Sequence, residues 1–367
     1  MHSSARRLLV RAQYLPLALA AVYALILLVF TVPAVQDEFV FLQRLRLPLA
    51  AKYDNPEHYG LAPYKTRNLR IETPDGEVLG LWHILPQSVY IAQDPFPPSM
   101  RPRDSFFDKA FGSRPTILYF HGNAATRAAS HRVRTYIEMS SRLDVNVIAV
   151  DYRGFGDSTG TPSQQGLVID ARTVWDWVQA RVERASIKPA DQQIMLVGHS
   201  LGTGVASALA AELADGGLHP RAIALIAPFT SIPDLLSSLW LFGIIPLLTP
   251  LKAIPGAIDY FKTHVVQRFN SSEALSRTTS PMLLLHSFDD PIIPHYHSVN
   301  LFQQLNSPNG TQLESSIRDF SYPGWGRVTY AEVADREVVF WEGESGGHNS
   351  LGHSEGTMDL MAWIGKL

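Results

Sequence analysis

Residues 193–213 read QIMLVGHSLGTGVASALAAEL. The first part is a short apolar run of strand type, the last is an alanine- and leucine-rich stretch of strong helix formers, and Gly198-His199-Ser200-Leu201-Gly202 lies between them. A strand that turns within one residue into a helix needs glycines on both sides of the turn, because only glycine lets the two elements approach so closely. Such a turn lifts the oxygen of Ser200 out of the backbone and aims the Leu201 N–H and the positive helix end at the same point. Ser200 is therefore the candidate nucleophile, and the fold is expected to be α/β.

Working outward, short apolar runs alternate with helical stretches. Strands are expected at Thr116–Phe120, Val145–Val150, Gln193–Gly198, Ala222–Ile226, Met282–His286 and Glu337–Trp341, with helices around His131–Leu143, Leu167–Arg184, Leu201–Leu213 and Pro294–Leu305. Strands that are apolar throughout are covered on both faces, which predicts a mostly parallel, doubly wound sheet with right-handed crossovers. Asn68–Thr73 and Glu77–Leu85 flank Pro74-Asp75-Gly76 and predict a hairpin at the sheet edge. Pro86–Pro115, rich in proline and charge, reads as a surface insertion. Ile232–Asn270, apolar and broken by Pro246, Pro250 and Pro255, reads as a helical cap over the site, the alternative being a pair of core helices.

The partners of Ser200 should follow it in the order acid, then base. After the run ending at His286 comes Ser287-Phe288-Asp289-Asp290-Pro291-Ile292-Ile293-Pro294; spacing from Pro294 selects Asp290 as the acid and leaves Asp289 to hold the loop. The base is sought in Gly346-Gly347-His348-Asn349-Ser350-Leu351-Gly352-His353. His348 follows the last strand by a short glycine-rich loop, whereas His353 sits nearer the final helix. The choice is His348. For the oxyanion, the Leu201 N–H needs a second donor, and the loop His121-Gly122-Asn123-Ala124 after the first parallel strand offers Asn123 or Ala124. His286, His295 and His297 read as surface or packing residues, and Asp151, Arg153 and Asp157 as scaffolding of a glycine-containing loop.

Composition narrows the alternatives. The chain has 367 residues, 46% hydrophobic and 18% charged, with a net charge of −3, so it can bury a core and has no basic stripe for nucleic acid. It contains no cysteine, which excludes a catalytic thiol, a disulfide and a thiolate zinc site. No phosphate-cradle motif or metal constellation stands out, and no cofactor is expected.

The run Tyr14–Val35 carries no charged side chain and is about 20 residues long, enough to cross a ~30 Å hydrocarbon core as a helix. Arg6, Arg7 and Arg11 precede it, and Asp37 and Glu38 follow. The positive-inside rule then gives a cytosolic tail at 1–13, a signal anchor at 14–35 and a juxtamembrane linker at 36–63, with the catalytic domain at 64–367 on the lumenal or extracellular side. A cleaved signal peptide is the competing reading, since Val32 and Ala34 make an acceptable cleavage site. Asn270-Ser-Ser and Asn309-Gly-Thr fit the glycosylation pattern.

The motifs FHGNAATR, DYRGFGDSTGTPS, GHSLGTGVAS, APFTSI, LLLHSFDDPIIP and GGHN occur in this order. From about Tyr64 to the C-terminus the chain resembles the membrane-anchored monoacylglycerol and lysophosphatidylserine lipases of the α/β-hydrolase-domain-containing protein 12 family. That resemblance implies the α/β-hydrolase fold, one N-terminal membrane span, a lumenal domain in the endoplasmic reticulum, and a triad on Ser200, Asp290 and His348. The expected reaction is hydrolysis of single-chain lipid esters at a membrane bilayer. A serine peptidase of the same fold and an idle membrane scaffold are the rivals. The proline-rich stretch near Pro95–Pro102 and an insertion at Asn306–Arg336 depart from the family pattern.

Overall fold

The apolar runs become the centre of a mixed sheet in the computed structural model, which describes residues 2–238, 240–241, 245–306, 317–333 and 336–367, and the side chains of these apart from 2–13, 240, 241 and 245. In chain order the strands are β1 (Thr66–Glu72), β2 (Val78–Ile84), β3 (Thr116–Phe120), β4 (Asn146–Asp151), β5 (Ile194–His199), β6 (Ile223–Ile226), β7 (Trp240–Leu241), β8 (Ile245–Pro246), β9 (Met282–Ser287), β10 (Ile317–Tyr322), β11 (Gly326–Val333) and β12 (Arg336–Gly343). Ten of them form one sheet in the order β1-β2-β4-β3-β5-β6-β9-β12-β11-β10, and β7 and β8 make a separate small ribbon. The six strands from β4 to β12 in that order run parallel, and antiparallel strands close both edges.

Successive residues of each central strand enter opposite cores. Leu118 and Phe120 of β3 pack in one cluster with the helices Gln164–Ala185 and Leu201–Asp215, through Val174, Val178, Val205 and Leu209. Ile117 and Tyr119 pack in the other with the helices Ser130–Arg142 and Glu355–Gly365, through Val133, Met139, Met358 and Met361. The sheet is thus covered on both sides, which is why its strands carry no polar alternation.

Topology then positions the site. The chain goes from β3 outward to β4, then returns to β5 on the other flank of β3, so the crevice at the carboxyl ends of β3 and β5 is a topological switch point. Phe120 pairs with Gly198, which sets the loop beginning at His121 beside the turn at Ser200. Farther along, Ser287 pairs with Gly343, so the loops carrying Asp290 and His348 leave the sheet side by side.

Several segments differ from the sequence expectation. Pro86–Pro115 contains the helices Gln87–Ile91 and Asp104–Ser113, and Phe107 and Phe111 are fully buried, so this stretch is partly core rather than only surface. The stretch 232–270, expected as a helical cap, combines short helices (Ile232–Ser238 and Ala257–Thr263), the β7–β8 ribbon and a 3-10 turn; Phe242 lies outside the described residues. The stretch 306–336 supplies β10 and β11, and Asn309 lies outside the described residues. The N-terminal helix His2–Phe30 ends at a break, and a second helix, Pro33–Phe41, leaves it at 83°. Among the described residues no single helix is long and apolar enough to cross a membrane, though the bent pair together meets that length and composition. Residues 36–63, expected as a linker, contain the end of that second helix, with Gln36, Val40 and Phe41 buried.

Candidate active site

Ser200 sits between β5 and the helix it caps, with φ +53° and ψ −120°. This is sparsely populated backbone for a residue with a Cβ, and the surroundings hold it there. Its N–H donates to Ile226 O at 2.9 Å, and its carbonyl accepts from Thr203 N at 2.8 Å and Thr203 Oγ1 at 2.6 Å. The flanking glycines are required by contact: a Cβ on Gly202 would lie 1.9 Å from Phe120 O, and one on Gly198 would lie 2.4 Å from Gly202 O. Among the described residues the Ser200 hydroxyl has no hydrogen-bond partner, and it lines a cavity of about 280 Å³ together with Leu201 and Asn123.

Asp290 and His348 meet on the adjoining loops. His348 Nδ1 lies 2.8 Å from Asp290 Oδ2, and the other carboxylate oxygen accepts from Ile292 N at 2.8 Å and Ile293 N at 3.0 Å. Burial pushes the Asp290 carboxyl up, but hydrogen bonds from His286, His348 and the Ile292 N–H outweigh it and hold the group well below the usual carboxylate range. A depressed folded pKa means that this stabilisation is present above the unfolded value of about 3.9 and is lost as pH falls through the folded one. Asp289 points elsewhere: its Oδ1 accepts from Gly347 N at 2.7 Å and so ties down the loop that carries His348. No hydrogen bond links Ser200 Oγ to His348; catalytic bonds of this kind commonly tighten only when substrate is bound.

Three positioning residues escaped the sequence reading. His286, expected to be a surface or packing residue, is fully buried with Nε2 3.3 Å from Asp290 Oδ2 and 2.9 Å from Ile293 O, so it stands directly behind the candidate acid. His199 donates from Nε2 to the His348 carbonyl at 2.8 Å, and burial pushes its pKa well down, so the ring is neutral. Arg132 is buried beneath the His121-Gly122-Asn123 loop. Its Nη2 donates to Gly122 O, Asn123 O and Ala124 O at 3.1, 3.0 and 3.0 Å, and its Nη1 to Thr126 O at 3.0 Å. Only contact order in space, which the linear chain does not display, could have singled these out.

That loop also separates the two candidate donors. Ala124 N–H is donated to Phe41 O at 2.9 Å and Ala125 N–H to Leu45 O at 2.6 Å, so neither is available to a substrate. Asn123, beside Ser200 and Leu201 in the cavity, is left. Asp151 and Asp157 share the buried Arg127, and Arg153 bridges Asp75 and Asp170, as scaffolding contacts. Among the described residues no cluster of His, Asp or Glu side chains is arranged to hold a metal ion. A larger concavity of about 700 Å³ lies on the β10–β11 edge, lined by Phe320, Tyr322, Trp325 and Trp363, and shares no residue with the Ser200 cavity.

Replacing Arg132 by methionine should cost about 2–4 kcal/mol, because four loop carbonyls lose a buried donor. It should also lower kcat/KM about 10- to 100-fold through a displaced oxyanion loop. Arg132→Lys should fall between, since an ammonium cannot reproduce the fork. Denaturant melts and ester kinetics measure both; wild-type kinetics in Arg132→Met would show the clamp to be irrelevant to catalysis.

Comparison with known proteins agrees with this architecture. Residues 117–240 match a family model described as alpha/beta hydrolase fold. An alpha-beta hydrolase from Vibrio vulnificus superposes with a TM-score of 0.58 at 15% identity, covering 91% of each chain. The Pyrococcus furiosus esterase Pf2001 does so at 0.52 and 15%, covering 88% of this chain and 96% of its own. In sequence, the lysophosphatidylserine lipase ABHD12 of Danio rerio is 33% identical over 77% of this chain and 70% of its own length. Its Gallus gallus counterpart is 34% identical over 84% and 75%. Identity at that level across most of both chains, on a fold shared with the solved hydrolases, shows that the chain belongs to the ABHD12 family of α/β-hydrolases.

Proposed function

We propose that this hydrolase cleaves the carboxylic ester of single-chain lipids, lysophospholipids foremost and monoacylglycerols with them, through an acyl-enzyme. Ser200 attacks the ester carbonyl while His348 takes its proton, Asp290 orients and stabilises the imidazolium, and the N–H groups of Leu201 and Asn123 receive the oxyanion. Water then releases the acyl group by the same route. The observation that carries the substrate class is the cavity beside Ser200: among the described residues no charged side chain lines it, and Phe229, Ile232, Leu236 and Ile293 wall it. At about 280 Å³ it is at the small end of ligand pockets, suited to one acyl chain rather than two and to an alkyl group rather than a peptide.

The test uses the purified full chain with lysophosphatidylserine, a monoacylglycerol, diacyl phosphatidylserine and a peptide amide. Fatty acid should appear from the two single-chain lipids, and a fluorophosphonate should block it by labelling Ser200. Amide cleavage with lysolipids left intact would favour the peptidase, and an unlabelled, inert protein the scaffold.

The bilayer enters through the helix Tyr14–Phe30, where Leu15, Leu17, Leu19, Val22, Leu25 and Leu28 are all more than half exposed. An exposed apolar surface of this kind needs cover, and a membrane supplies it. We place the catalytic domain on the lumenal side of the endoplasmic reticulum, in keeping with the arginines before the helix. Asn270, exposed at the start of Ser271–Ser276, or Asn309 should then carry glycan. An endoglycosidase should shift the band of the microsomal protein; an unshifted band, with the domain digested by protease outside sealed microsomes, would reverse the orientation.

A further inference from the structure

The residues that follow the apolar N-terminal helix are built into the site. Gln36 is buried and locks the helix Pro33–Phe41 onto the cap: its Nε2 donates to His264 O at 2.9 Å and its Oε1 accepts from Val266 N at 2.9 Å. Phe41 is fully buried in the core beneath. Phe39 and Val40, between these anchors, and Leu42, just after them, face the cavity that holds Ser200. Beyond them the backbone runs along the oxyanion loop, and three successive loop N–H groups, of Ala124, Ala125 and Thr126, donate to the carbonyls of Phe41, Leu45 and Leu47 at 2.9, 2.6 and 3.0 Å. Ala124 and Ala125 have φ of +55° and +51°, a left-handed conformation that alanine adopts only where its surroundings impose it. The carbonyls of the same loop are held by Arg132 from the opposite side. The loop is therefore gripped on both of its hydrogen-bonding edges, one of them by the N-terminal segment.

We propose that Pro33–Leu47 is a strap that forms part of the active site, with Phe39 and Val40 setting the length of acyl chain accepted and the stretch from Phe41 to Leu47 holding the oxyanion loop in its reactive shape. This rests on the reading of Ser200 as nucleophile and of the adjoining cavity as the acyl site. Membrane attachment and catalysis are coupled by it, because the segment that leaves the apolar helix is the one that walls the substrate. The acyl chain is the ligand of Phe39 and Val40; Phe41 is a positioning residue that acts through the loop.

The experiment compares kcat and KM of the full-length protein on p-nitrophenyl esters from acetate to palmitate. Val40→Phe should fill the cavity and lower the ratio of long-chain to short-chain kcat/KM by about tenfold or more, since one methylene in an apolar pocket is worth at least that. Phe39→Ala should move the preferred chain length upward. Phe41→Ala should lower kcat on a short ester about tenfold with KM little moved, as expected when the oxyanion loop rather than the binding wall is disturbed. Ile187→Phe, at a fully exposed position outside the cavity, serves as control and should leave the ratio as in wild type. Fluorophosphonate labelling reports an assembled site in each variant, and if Val40→Phe fails to fold, Phe39→Ala carries the test. Labelled variants with an unchanged chain-length profile would overturn the acyl wall, and a Phe41→Ala enzyme altered only in KM would overturn the brace. A wild-type protein that neither labels nor hydrolyses any ester would instead remove the reading of Ser200.

Discussion

Replacing Ser200 by alanine is expected to lower kcat on a lysolipid ester by about 10⁴- to 10⁶-fold while the chain stays folded. Folding should survive because the hydroxyl supports nothing: among the described residues it has no hydrogen-bond partner, and the bonds at this position are made by the backbone N–H to Ile226 O and by the backbone carbonyl to Thr203. Alanine also tolerates φ +53° no worse than serine does, since both carry one Cβ. The cavity walls and the donors at Leu201 and Asn123 remain, so substrate affinity should change little and a small residual rate over water should persist. Single-turnover release of fatty acid, with thermal melts of both proteins, measures the two halves of this expectation. Retention of most of the activity, together with fluorophosphonate labelling, would place the nucleophile elsewhere.

The parts of this fold that could be read from the chain are those where local chemistry and position coincide. Gly198 and Gly202 announce a strand-to-helix turn because a Cβ at either would strike backbone, and Pro74-Asp75-Gly76 announces the β1–β2 hairpin because Gly76 takes φ +89°, which favours glycine. Asp290 and His348 could be sought in order along the chain because parallel neighbours such as β9 and β12 deliver the loops that follow them to the same end of the sheet. What escaped the reading depends on contacts remote in sequence. The break after Phe30 is marked only by Pro33, inside an uncharged run that continues to Val35, and the helix Pro33–Phe41 is divided between that run and the polar stretch of Gln36, Asp37 and Glu38, so it shows as one element only once Val40 and Phe41 are seen buried in the core. Arg132 reads as one more charge on an amphipathic helix, yet it lies beneath the loop nine residues before it and satisfies that loop's carbonyls. Pro86–Pro115 reads as surface because its prolines and charges dominate the stretch as a whole; the helix Asp104–Ser113 contains no proline but is only ten residues long, too short for Phe107 and Phe111 to stand out as a core face.

The choice between His348 and His353 carries the second large effect, because residues that act as a unit lose activity non-additively once one of them is gone. His348 is fixed from three directions: its ring by Asp290 Oδ2 at 2.8 Å, its carbonyl by His199 Nε2 at 2.8 Å, and the preceding residue by Asp289 at 2.7 Å. That is the restraint a proton-transferring imidazole needs, and His348→Ala should cost nearly as much as Ser200→Ala. Added to Ser200→Ala it should cost little more, since without the nucleophile there is no proton for the base to take. His353 closes the 3-10 turn Leu351–His353 just before the N-cap Ser354, and among the described residues its buried Nδ1 has no partner. Nothing ties that ring to Asp290, so His353→Ala should stay within about tenfold of wild type, as expected of a residue that supports the loop rather than moving protons. Rates on a short ester for the two single variants and the double, with circular dichroism to confirm folding, separate the cases. Near-full activity in His348→Ala with collapse in a folded His353→Ala would transfer the role of base to His353.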